Sequence, residues 1–475
     1  MAEYDLVVVG GGPTGENVAD RAVSGGLSVA LVEAERVGGE CSYWACMPSK
    51  ALLRPAAVLA QARAVPGAAE AVTGSLDAAA VLARRDEVVS GFDDAGQAEW
   101  LSGAGVSLVR GRARLAGPRG VEVTGPDGGT SELTARHAVA VCTGSVPFVP
   151  GVPGLAEAGF WTSREGTAAK EVPESLVVIG GGVVACELAW AWHSLGARVH
   201  MLARGGRLLS GNEPFAGERV AEALRAAGVE VRTGADVVEV AGGADGRTVR
   251  FRDGSGEHRV TAAEVLVATG RRPATDGLGL ETVGLDAAAL ADVDDSCRVR
   301  GVEEGWLYAV GDVNGRANVT HMGKYQGRAV GDAIAARARG GEAAPEPWSR
   351  WAATADHHAV PQVVFTEPEV AAVGRTEEAA REAGLRVRAV EYDLGWVAGA
   401  GLFAPGYAGR AKMVVDEDRR VVVGCTLVGP GVGELVHAAT VAVVGEVPLE
   451  RLWHAVPAFP TVSEVWLRLL EAYGR

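Results

Sequence analysis

The chain has 475 residues, more than one ordinary hydrophobic core holds, which favours a multidomain protein. Its formal net charge of -15 argues against a nucleic-acid binder, because such a protein needs a basic face toward the phosphate backbone. The sequence has neither a basic leader with an apolar core nor an apolar run of roughly 18 residues, so we expect a cytoplasmic protein without a membrane partner.

The N-terminal segment has the pattern of a strand, a glycine-rich turn and a helix. Residues 5–9 form a run that is apolar after Asp5 and largely β-branched. Gly10-x-Gly12-x-x-Gly15 follows, and a second apolar run ends at Glu33. The first glycine permits a tight turn, the second lets the backbone approach a pyrophosphate, and the third lets the helix pack on the strand. An acid at Glu33 can accept from ribose hydroxyls. The segment therefore predicts a dinucleotide site, with a plain turn as the alternative.

Two of the six cysteines, Cys41 and Cys46, lie close together in the sequence. In a regular helix their Cα atoms would be roughly 8 to 9 Å apart, whereas a disulfide tolerates about 4.4 to 6.8 Å. They can bond only if the segment is distorted near Cys41, and Pro48 then suits a first helical turn. A zinc site is the alternative, but a second pair of ligands is not evident. Tyr43 and Trp44, between them, either crowd the substrate side and favour a flat or apolar acceptor, or simply pack in the core.

The strand, turn and helix order returns later in the chain. Gly180-x-Gly182-x-x-Ala185 follows a second apolar run, with alanine at the third glycine position. Where the first unit has an acid, the second has Ala203 followed by Arg204. A carboxylate there would repel a 2′-phosphate and an arginine would pair with one, so the pattern predicts NADPH and makes NADH the less favoured nucleotide. The alternative is that Arg204 only solvates a turn.

Beyond residues 337–353, which are rich in Ala, Gly, Pro and Arg, strands and helices are predicted in a mixed order typical of an α+β domain. The strands are expected at 361–365, 387–392, 411–415 and 421–428, and the helices at 377–383, 432–444 and 462–473. Earlier in the chain, a helical stretch is predicted over 76–104.

Several motifs occur together in the order of one known family. They are Gly10 to Gly15, the Cys41/Cys46 segment through Lys50, Thr143-Gly144, Gly180 to Glu187, Ala268 to Pro273, Tyr308 to Asp312, Thr320-His321 and 361–369. Over essentially its whole length the chain resembles the group I pyridine nucleotide-disulfide oxidoreductases, the family of dihydrolipoamide dehydrogenase, glutathione reductase and mercuric reductase. The resemblance implies an FAD enzyme that passes electrons from NADPH through FAD and a redox-active disulfide to a small-molecule acceptor.

The resemblance also implies a fold and a set of roles. The fold is α/β, with two Rossmann-like domains for FAD and NAD(P) and a C-terminal α+β dimerisation domain, in a homodimer whose subunits share the active site. The implied domains are FAD-binding at 1–150, NAD(P)-binding at 151–275, central FAD-binding at 276–350 and interface at 355–475. Cys46 resembles the flavin-proximal thiol and Cys41 the interchange thiol, while Lys50 and Glu187 match the buried pair beside the flavin.

The other cofactor residues are assigned by their position in the motifs. For FAD they are Gly10, Gly12, Gly15, Glu33, Ala113, Thr143, Gly144, Asp312 and Thr320, and for the nicotinamide nucleotide Gly180, Gly182, Ala185, Arg204 and Gly270.

One motif departs from the family pattern. Disulfide-reducing members carry His-Pro-Thr-x-Ser-Glu near the C-terminus, and here Phe459 replaces the histidine while Glu464, its would-be orienter, remains. A positioned acid/base group contributes roughly 10² to 10⁴ in rate, so we expect poor turnover of ordinary disulfides unless His437 or His454 substitutes. The alternatives are a non-disulfide acceptor, namely a quinone, a metal ion or a 2-ketopropyl-thioether type of carbonyl, and, remotely, a non-catalytic flavin-binding regulatory protein. The metal alternative is weakened because no C-terminal cysteine pair is present.

Overall fold

The structure of the chain is a computed structural model that describes residues 2–244 and 246–474. The α-helices are α1 Pro13–Ser24, α2 Gly39–Tyr43, α3 Cys46–Ala64, α4 Ala78–Val88, α5 Ala95–Gly103, α6 Leu155–Ala158, α7 Ser163–Ala168, α8 Val183–Ser194, α9 Pro214–Ala227, α10 Thr320–Ala338, α11 Glu377–Glu382, α12 Ala398–Phe403, α13 Val436–Val444, α14 Leu449–Leu452 and α15 Val465–Tyr473. The strands are β1 Ala2–Val9, β2 Val29–Glu33, β3 Ser107–Arg110, β4 Arg112–Leu115, β5 Gly120–Thr124, β6 Thr130–Val141, β7 Ser145–Pro147, β8 Ser175–Ile179, β9 Arg198–Ala203, β10 Glu230–Thr233, β11 Asp236–Gly243, β12 Gly246–Asp253, β13 Gly256–Ala262, β14 Glu264–Val267, β15 Arg271–Pro273, β16 Leu307–Ala309, β17 Pro361–Val364, β18 Glu369–Gly374, β19 Val387–Asp393, β20 Arg410–Asp416 and β21 Val421–Gly429.

The chain divides into two compact units. The first unit comprises Met1–Met47, Val89–Pro147 and Arg271–His357, and the second comprises Pro48–Val88, Phe148–Gly270 and His358–Arg475.

The first unit is built on a seven-stranded sheet in the order β3-β2-β1-β6-β5-β4, with β16 paired to β6. Strands β1, β2, β3, β6 and β16 run parallel. The C-terminal halves of β1 and β6, most of β2 and all of β16 are buried, as expected of a parallel sheet that is covered on both faces. The carboxyl ends of parallel strands share one edge, which is where ligands bind in such sheets. That edge carries the turn after β1, the end of β2, the loop after β6 and the loop after β16.

The second unit contains a parallel sheet in the order β10-β9-β8-β14, an antiparallel three-stranded sheet β11-β12-β13, and an antiparallel five-stranded sheet β17-β18-β21-β20-β19. Strand β8 is buried along its whole length, as is β21, so each forms the centre of its sheet. The parallel sheet again brings together the turn after β8, the end of β9 and the turn after β14. The predicted α/β fold with two Rossmann-like sheets and a C-terminal α+β region is confirmed.

Three predicted helices differ from the structure. The stretch 76–104 is two helices, α4 and α5, because Ser90 and Phe92 take positive φ values of 51° and 65° between them. The helices expected at 432–444 and 462–473 each begin with a short 3₁₀ turn, and their α-helical parts are α13 and α15. Among residues 2–244 and 246–474, none of the helices is both long and apolar enough to cross a lipid bilayer.

Candidate active site

The turn between β1 and α1 has the geometry expected of a dinucleotide-binding turn. Gly10 has φ 105°, and a Cβ on it would lie 2.5 Å from the carbonyl oxygen of Cys142. A Cβ on Gly15 would lie 1.9 Å from the carbonyl oxygen of Gly10, so the helix packs on the strand only with glycine there. A Cβ on Gly12 would meet nothing within 4 Å. The space beside Gly12 is open, as a cradle for a pyrophosphate requires.

Glu33, the last residue of β2, points back at this turn. Its Oε2 accepts from the backbone N–H of Gly11 at 2.7 Å, and its Oε1 accepts from the N–H of Glu35 at 2.6 Å. Burial raises the pKa of Glu33 above its usual value, and the two N–H donors act against that rise. The side chain is therefore held beside the turn, where an adenosine ribose would place its hydroxyls.

The cysteine segment is broken between the two sulfurs. Helix α2 ends at Tyr43, Trp44 has φ -135°, and α3 begins at Cys46. The expected distortion is present, but it lies at Trp44 and not beside Cys41. Pro48 is the third residue of α3, in the first turn, as predicted.

The break is held by buried aromatic side chains of the first unit. Tyr43 and Trp44 are 1% and 9% exposed, and the guanidinium of Arg36 lies 5.8 and 5.1 Å from their ring centroids. The Tyr43 hydroxyl lies 2.9 Å from Gln97 Oε1, and burial raises the pKa of Tyr43 to about 12. Of the two predictions for this aromatic pair, core packing is the one the structure supports.

The two thiols converge on the N-terminus of α10. Cys46 Sγ lies 3.2 Å from Thr320 Oγ1, and Cys41 is hydrogen-bonded to Cys46 and to Thr320. The pKa of Cys41 lies above its ordinary value because of the hydrogen bond to Cys46 and because of burial. The Thr320 hydroxyl and the charge of Lys324 act in the opposite direction. Two sulfurs this close can alternate between dithiol and disulfide.

Lys50 and Glu187 form the predicted pair, within the second unit. Lys50 Nζ lies 2.7 Å from Glu187 Oε2, and the Glu187 side chain is 4% exposed. The N–H of Phe365 donates to Glu187 Oε1 at 3.0 Å, and Lys50 Nζ lies 4.9 Å from the Phe365 ring centroid. The ammonium is thus fixed by a carboxylate that is itself held by backbone.

The remaining residues assigned to FAD lie in the first unit. Thr143 and Gly144 follow β6, the Thr143 hydroxyl donates to the carbonyl of Ala274 at 2.7 Å, and Gly144 has φ 71°. Ala113 lies in β4 and Asp312 follows β16. The structure therefore brings Thr143, Gly144 and Asp312 to the edge formed by the strand carboxyl ends, whereas Ala113 lies within β4, which pairs antiparallel with β5.

The turn between β8 and α8 repeats the geometry of the first turn. Gly180 has φ 138°, a Cβ on it would lie 2.2 Å from the carbonyl oxygen of Ala268, and a Cβ on Gly182 would meet nothing within 4 Å. Ala185 is fully buried. Gly270, after β14, has φ 139° and its carbonyl accepts from the N–H of Phe148 at 2.9 Å.

The end of β9 differs from the end of β2. Ala203 is buried, and its Cβ would lie 2.9 Å from a Cβ on Gly181. Arg204 is exposed and makes no ion pair with any residue that the structure describes. The end of β9 is therefore followed by a cation, Arg204, whereas β2 ends in the carboxylate of Glu33.

The C-terminal motif has Phe459 at the position where the family pattern has histidine. The Phe459 side chain is 75% exposed, whereas Glu464 is buried and its Oε1 pairs with Arg468 at 2.5 Å. Glu464 Oε2 is buried without a hydrogen-bond partner among residues 2–244 and 246–474. His437 and His454 are both exposed.

Sequence reasoning missed Ser145 and Arg271, which lie next to the assigned motif residues. Ser145 Oγ donates to Asp312 Oδ2 at 2.7 Å, and Arg271 directly follows Gly270. Arg271 could have been found from the sequence, because it belongs to the motif that runs from Ala268 to Pro273. Only Gly270 of that motif was assigned a role.

Two dinucleotide-type turns and a thiol pair at a helix N-terminus define a class of flavin-linked, pyridine-nucleotide-dependent oxidoreductases. The chain belongs to the pyridine nucleotide-disulphide oxidoreductases: residues 4–327 match that family, and residues 360–469 match its dimerisation domain. It is therefore an FAD-dependent oxidoreductase of the EC 1.8.1 type that uses a pyridine nucleotide, and the dimerisation domain indicates a homodimer.

The curated relatives span nearly the whole chain. A dihydrolipoyl dehydrogenase of Thermus scotoductus is 33% identical over 99% of this chain and 98% of its own length. A mercuric reductase of Staphylococcus aureus is 30% identical over 97% of this chain and 81% of its own length. These relatives differ in the acceptor that their names state, so the family does not fix the acceptor of this chain.

Solved structures share the fold. The HOCl-induced flavoprotein disulfide reductase RclA from Escherichia coli, in a Cu(II) complex, superposes with a TM-score of 0.83 at 24% identity over 99% of both chains. LpdA from Mycobacterium tuberculosis gives the same TM-score and identity over 100% of both chains.

Proposed function

We propose that the protein passes electrons from NADPH through FAD to the Cys41/Cys46 pair, and from there to a small acceptor that takes no proton from the C-terminal domain. The observation that carries the redox proposal is the contact of both thiols with each other and with Thr320 at the start of α10. Bound FAD supplies the two-electron carrier between nucleotide and sulfur.

The preference for NADPH is supported by the end of β9. Arg204 is exposed and makes no ion pair with any described residue, so it can donate to a 2′-phosphate, and Ala203 stands where a carboxylate would repel that phosphate. In β2 the corresponding carboxylate of Glu33 is present and accepts from the turn.

The thiol chemistry follows from the two sulfurs. The disulfide form of the pair takes up two electrons and two protons and becomes two thiols. As a thiolate, Cys41 then attacks one sulfur of an acceptor disulfide and releases the other half as a thiolate. Cys46 closes on Cys41, restores the disulfide and releases the second half. The hydrogen bond to Cys46 and burial raise the pKa of Cys41, and the Thr320 hydroxyl and the charge of Lys324 oppose that rise and so favour the thiolate form.

The first class of acceptor is a disulfide whose leaving thiol has a low pKa. Such a thiolate departs without a proton donor, because exchange accelerates as the leaving thiol becomes more acidic. This class is compatible with Phe459 at the histidine position.

The second class is a non-disulfide acceptor, namely a quinone, a metal ion or a thioether carbonyl compound. It is favoured by the same Phe459, since the acceptors in this class need no thiol protonation at that position. Glu464 pairs with Arg468 through Oε1, and its other oxygen, Oε2, is buried. In family members with histidine at the position of Phe459, this glutamate would orient the histidine.

We further propose the domain limits 1–150, 151–275, 276–350 and 355–475, with the active site shared between the two subunits. The dimerisation-domain match and the exposed Phe459 support the sharing.

The redox proposal is tested by anaerobic titration of the purified flavoprotein with NADPH. The wild type should take up reducing equivalents for both the flavin and the thiol pair and develop a long-wavelength absorbance band. Cys46→Ser should lack the band and should take up only the reducing equivalents that the flavin accepts. Cys425→Ala, which alters a buried cysteine in β21, is the matched control and should behave as the wild type. A protein isolated without flavin, or thiols that NADPH leaves oxidised, would contradict the proposal.

The acceptor is tested with Phe459→His and with Phe459→Gln, a polar variant that carries no titratable proton. If Phe459→His alone gains disulfide reductase activity, the natural acceptor is in the second class. If neither variant gains activity while the wild type reduces activated disulfides, it is in the first class. A panel of disulfides, quinones and metal ions assigns the acceptor directly.

A further inference from the structure

A small cavity lies in the second unit, between the loop that precedes α9 and the five-stranded sheet. Its volume is about 150 Å³. Gly211 and Asn212 line it from the loop, and residues of β17, β18 and β21 line it from the sheet. The volume is below the roughly 300 Å³ at which sites for drug-sized ligands begin, so the cavity suits a small molecule. None of its lining residues is assigned above to the flavin, to the nicotinamide nucleotide or to the thiol pair.

The sheet side of the cavity is part of a row of cross-strand neighbours. Gln362 lies opposite Ala372, which lies opposite Thr426. The row continues from Thr426 to Lys412 and from Lys412 to Glu391. Directly opposite residues of antiparallel strands place their side chains on the same face of the sheet. Thr426 and Lys412 are 4% and 7% exposed, so polar groups of this row need partners from whatever covers the face.

One half of the row is satisfied by ion pairs. Lys412 Nζ lies 2.9 Å from Glu213 Oε2 and 2.7 Å from Glu377 Oε2. Burial lowers the pKa of Lys412, whereas its hydrogen bonds to the two carboxylates raise it, and the net shift is upward. Lys412 therefore keeps its charge. The surrounding ion pairs complete a cluster of three carboxylates and three cations, namely Glu213, Glu377 and Glu391 with Lys412, Arg381 and Arg410. This cluster is neutral as a whole.

The other half of the row is not satisfied by the protein. Thr426 and, on the loop side, Asn212 are 4% and 7% exposed, and neither side chain has a hydrogen-bond partner in the described part of the chain. The backbone of Asn212 is held in place, because its N–H donates to the carbonyl of Leu209 at 2.8 Å. The partly buried side chain of Gln362 likewise has no partner among the described residues. Buried polar groups normally have partners, and these three side chains line one cavity.

A cation lines the same cavity. Arg375 directly follows β18, is partly buried, and is anchored by its N–H, which donates to the carbonyl of Val423 at 2.9 Å. Its guanidinium makes neither an ion pair nor a hydrogen bond with any residue that the structure describes. Because the neighbouring cluster around Lys412 is neutral, Arg375 contributes one positive charge that the protein does not balance there.

We infer that this cavity binds a small carboxylate. A guanidinium binds a carboxylate through two parallel N–H donors, and the hydroxyl of Thr426 and the amides of Asn212 and Gln362 can donate to the same oxygens. Val360 and Ala372 give the cavity an apolar wall for a short carbon chain. A monoanion matches the single unbalanced charge, whereas a phosphate dianion would leave negative charge beside the carboxylates of the neighbouring cluster. The inference goes beyond the redox function and does not depend on it.

The probe is propionate, and the protein is the FAD-bound holoprotein. NADP⁺ is present throughout, so that the second dinucleotide turn is occupied. Saturation-transfer difference NMR of the propionate protons, followed as a titration, gives the dissociation constant. A ligand of so few atoms is limited to weak binding, so we expect a Kd of about 1 mM. Propionamide has the same shape without the charge and should bind about 10-fold more weakly. Inorganic phosphate, added as a competitor, should displace propionate only at higher concentrations than propionate itself requires.

Variants locate the site. Arg375→Met should weaken propionate binding about 10-fold, because a charge-assisted hydrogen-bonding pair is lost. Arg375→Lys keeps the charge without the planar fork and should give an intermediate affinity. Thr426→Val is nearly isosteric and should weaken binding about 5-fold through loss of one hydroxyl. Arg451 in α14 is exposed and also makes no ion pair with any described residue, so Arg451→Met is the matched control and should bind as the wild type.

The inference is overturned if propionamide or phosphate binds as tightly as propionate, or if Arg375→Met binds propionate as Arg451→Met does. Absence of propionate binding to the wild type at ten times the expected Kd also overturns it. Flavin absorbance of each purified variant reports on folding. If Arg375→Met fails to fold, Thr426→Val and the comparison of propionate with propionamide still decide the matter.

Discussion

The two dinucleotide-type turns share their backbone and differ in their side chains. In both, the first glycine has a positive φ and faces a carbonyl oxygen, of Cys142 for Gly10 and of Ala268 for Gly180. In both, the second glycine borders open space. The end of the following strand differs, because β2 ends in Glu33 and β9 ends in Ala203 followed by Arg204.

The comparison separates what makes a nucleotide site from what selects the nucleotide. Steric contacts of the first glycine are the same in both turns, so they serve pyrophosphate binding in general. The residue after the second strand lies where the ribose hydroxyls or a 2′-phosphate would be, so it selects between ligands. The variants below act first on the shared geometry and then on the selecting residues.

The largest effect is expected at the first glycines. Gly10→Ala places a Cβ 2.5 Å from a backbone oxygen at φ 105°, which no flexible side chain can relieve. The purified variant should be colourless, because FAD is not retained. Gly180→Ala should keep its flavin spectrum but lose reduction by NADPH. Absorbance of the purified proteins and stopped-flow reduction measure both.

Gly96→Ala is the control, since a Cβ there meets nothing within 4 Å and its φ is not positive. Equal loss of flavin from Gly10→Ala and Gly180→Ala would contradict the assignment of one turn to each nucleotide.

Local patterns were sufficient to predict these turns, because strand, glycine spacing and helix are neighbours in the sequence. The ion pair of Glu464 with Arg468 is also local, at i, i+4 on a helix, and could have been predicted from that spacing. The position of the break at Trp44 was not predictable, since it depends on burial against Arg36 and Gln97. The geometric argument required a distortion and placed it near Cys41, whereas the structure has it at Trp44.

The connection from Arg271 through Ser145 to Asp312 was beyond sequence reasoning for a different reason. Its bonds join residues 126 and 167 positions apart. No periodicity or spacing relates such residues, and only the sheet brings them to one edge. Hydrogen bonds of this kind depend on tertiary structure, whereas glycine turns depend on the local chain.

The second prediction concerns Arg204. Arg204→Glu replaces a phosphate-pairing cation with a repelling anion, so kcat/KM for NADPH should fall about 100-fold, as expected for loss of a charge-assisted hydrogen bond plus repulsion. The ratio of NADH to NADPH use should rise. Steady-state kinetics with both nucleotides measures the change.

Arg219→Glu, a charge reversal at an exposed position of α9, controls for the change in net charge. If both variants lower NADPH use equally, the selecting role of Arg204 is wrong.

The third prediction concerns Glu33 and pH. Burial raises the pKa of this carboxyl, and ribose hydroxyls donate to its ionised form. FAD affinity should therefore be full above that pKa and should fall as pH drops through it. Glu33→Gln should bind FAD about 10-fold more weakly at neutral pH, and its FAD affinity should no longer fall as the pH drops. Glu99→Gln, on the exposed face of α5, should show the same fall in FAD affinity as the wild type. FAD titrations across pH distinguish the three proteins.

The smallest effect is expected at the third glycine position, where the turns also differ. A Cβ on Gly15 would lie 1.9 Å from a backbone oxygen, whereas Ala185 carries its Cβ in a buried position. Helix α8 is therefore spaced from its strand to accept a methyl group. Ala185→Gly should cost about 1 kcal/mol through helix propensity and the lost methyl contact, without changing kcat/KM for NADPH. Thermal melting should show a Tm lower by about 1–2 °C. An unchanged Tm, or a gain in NADPH use, would mean that glycine and alanine are equivalent at this position and that the spacing of α8 has no energetic role.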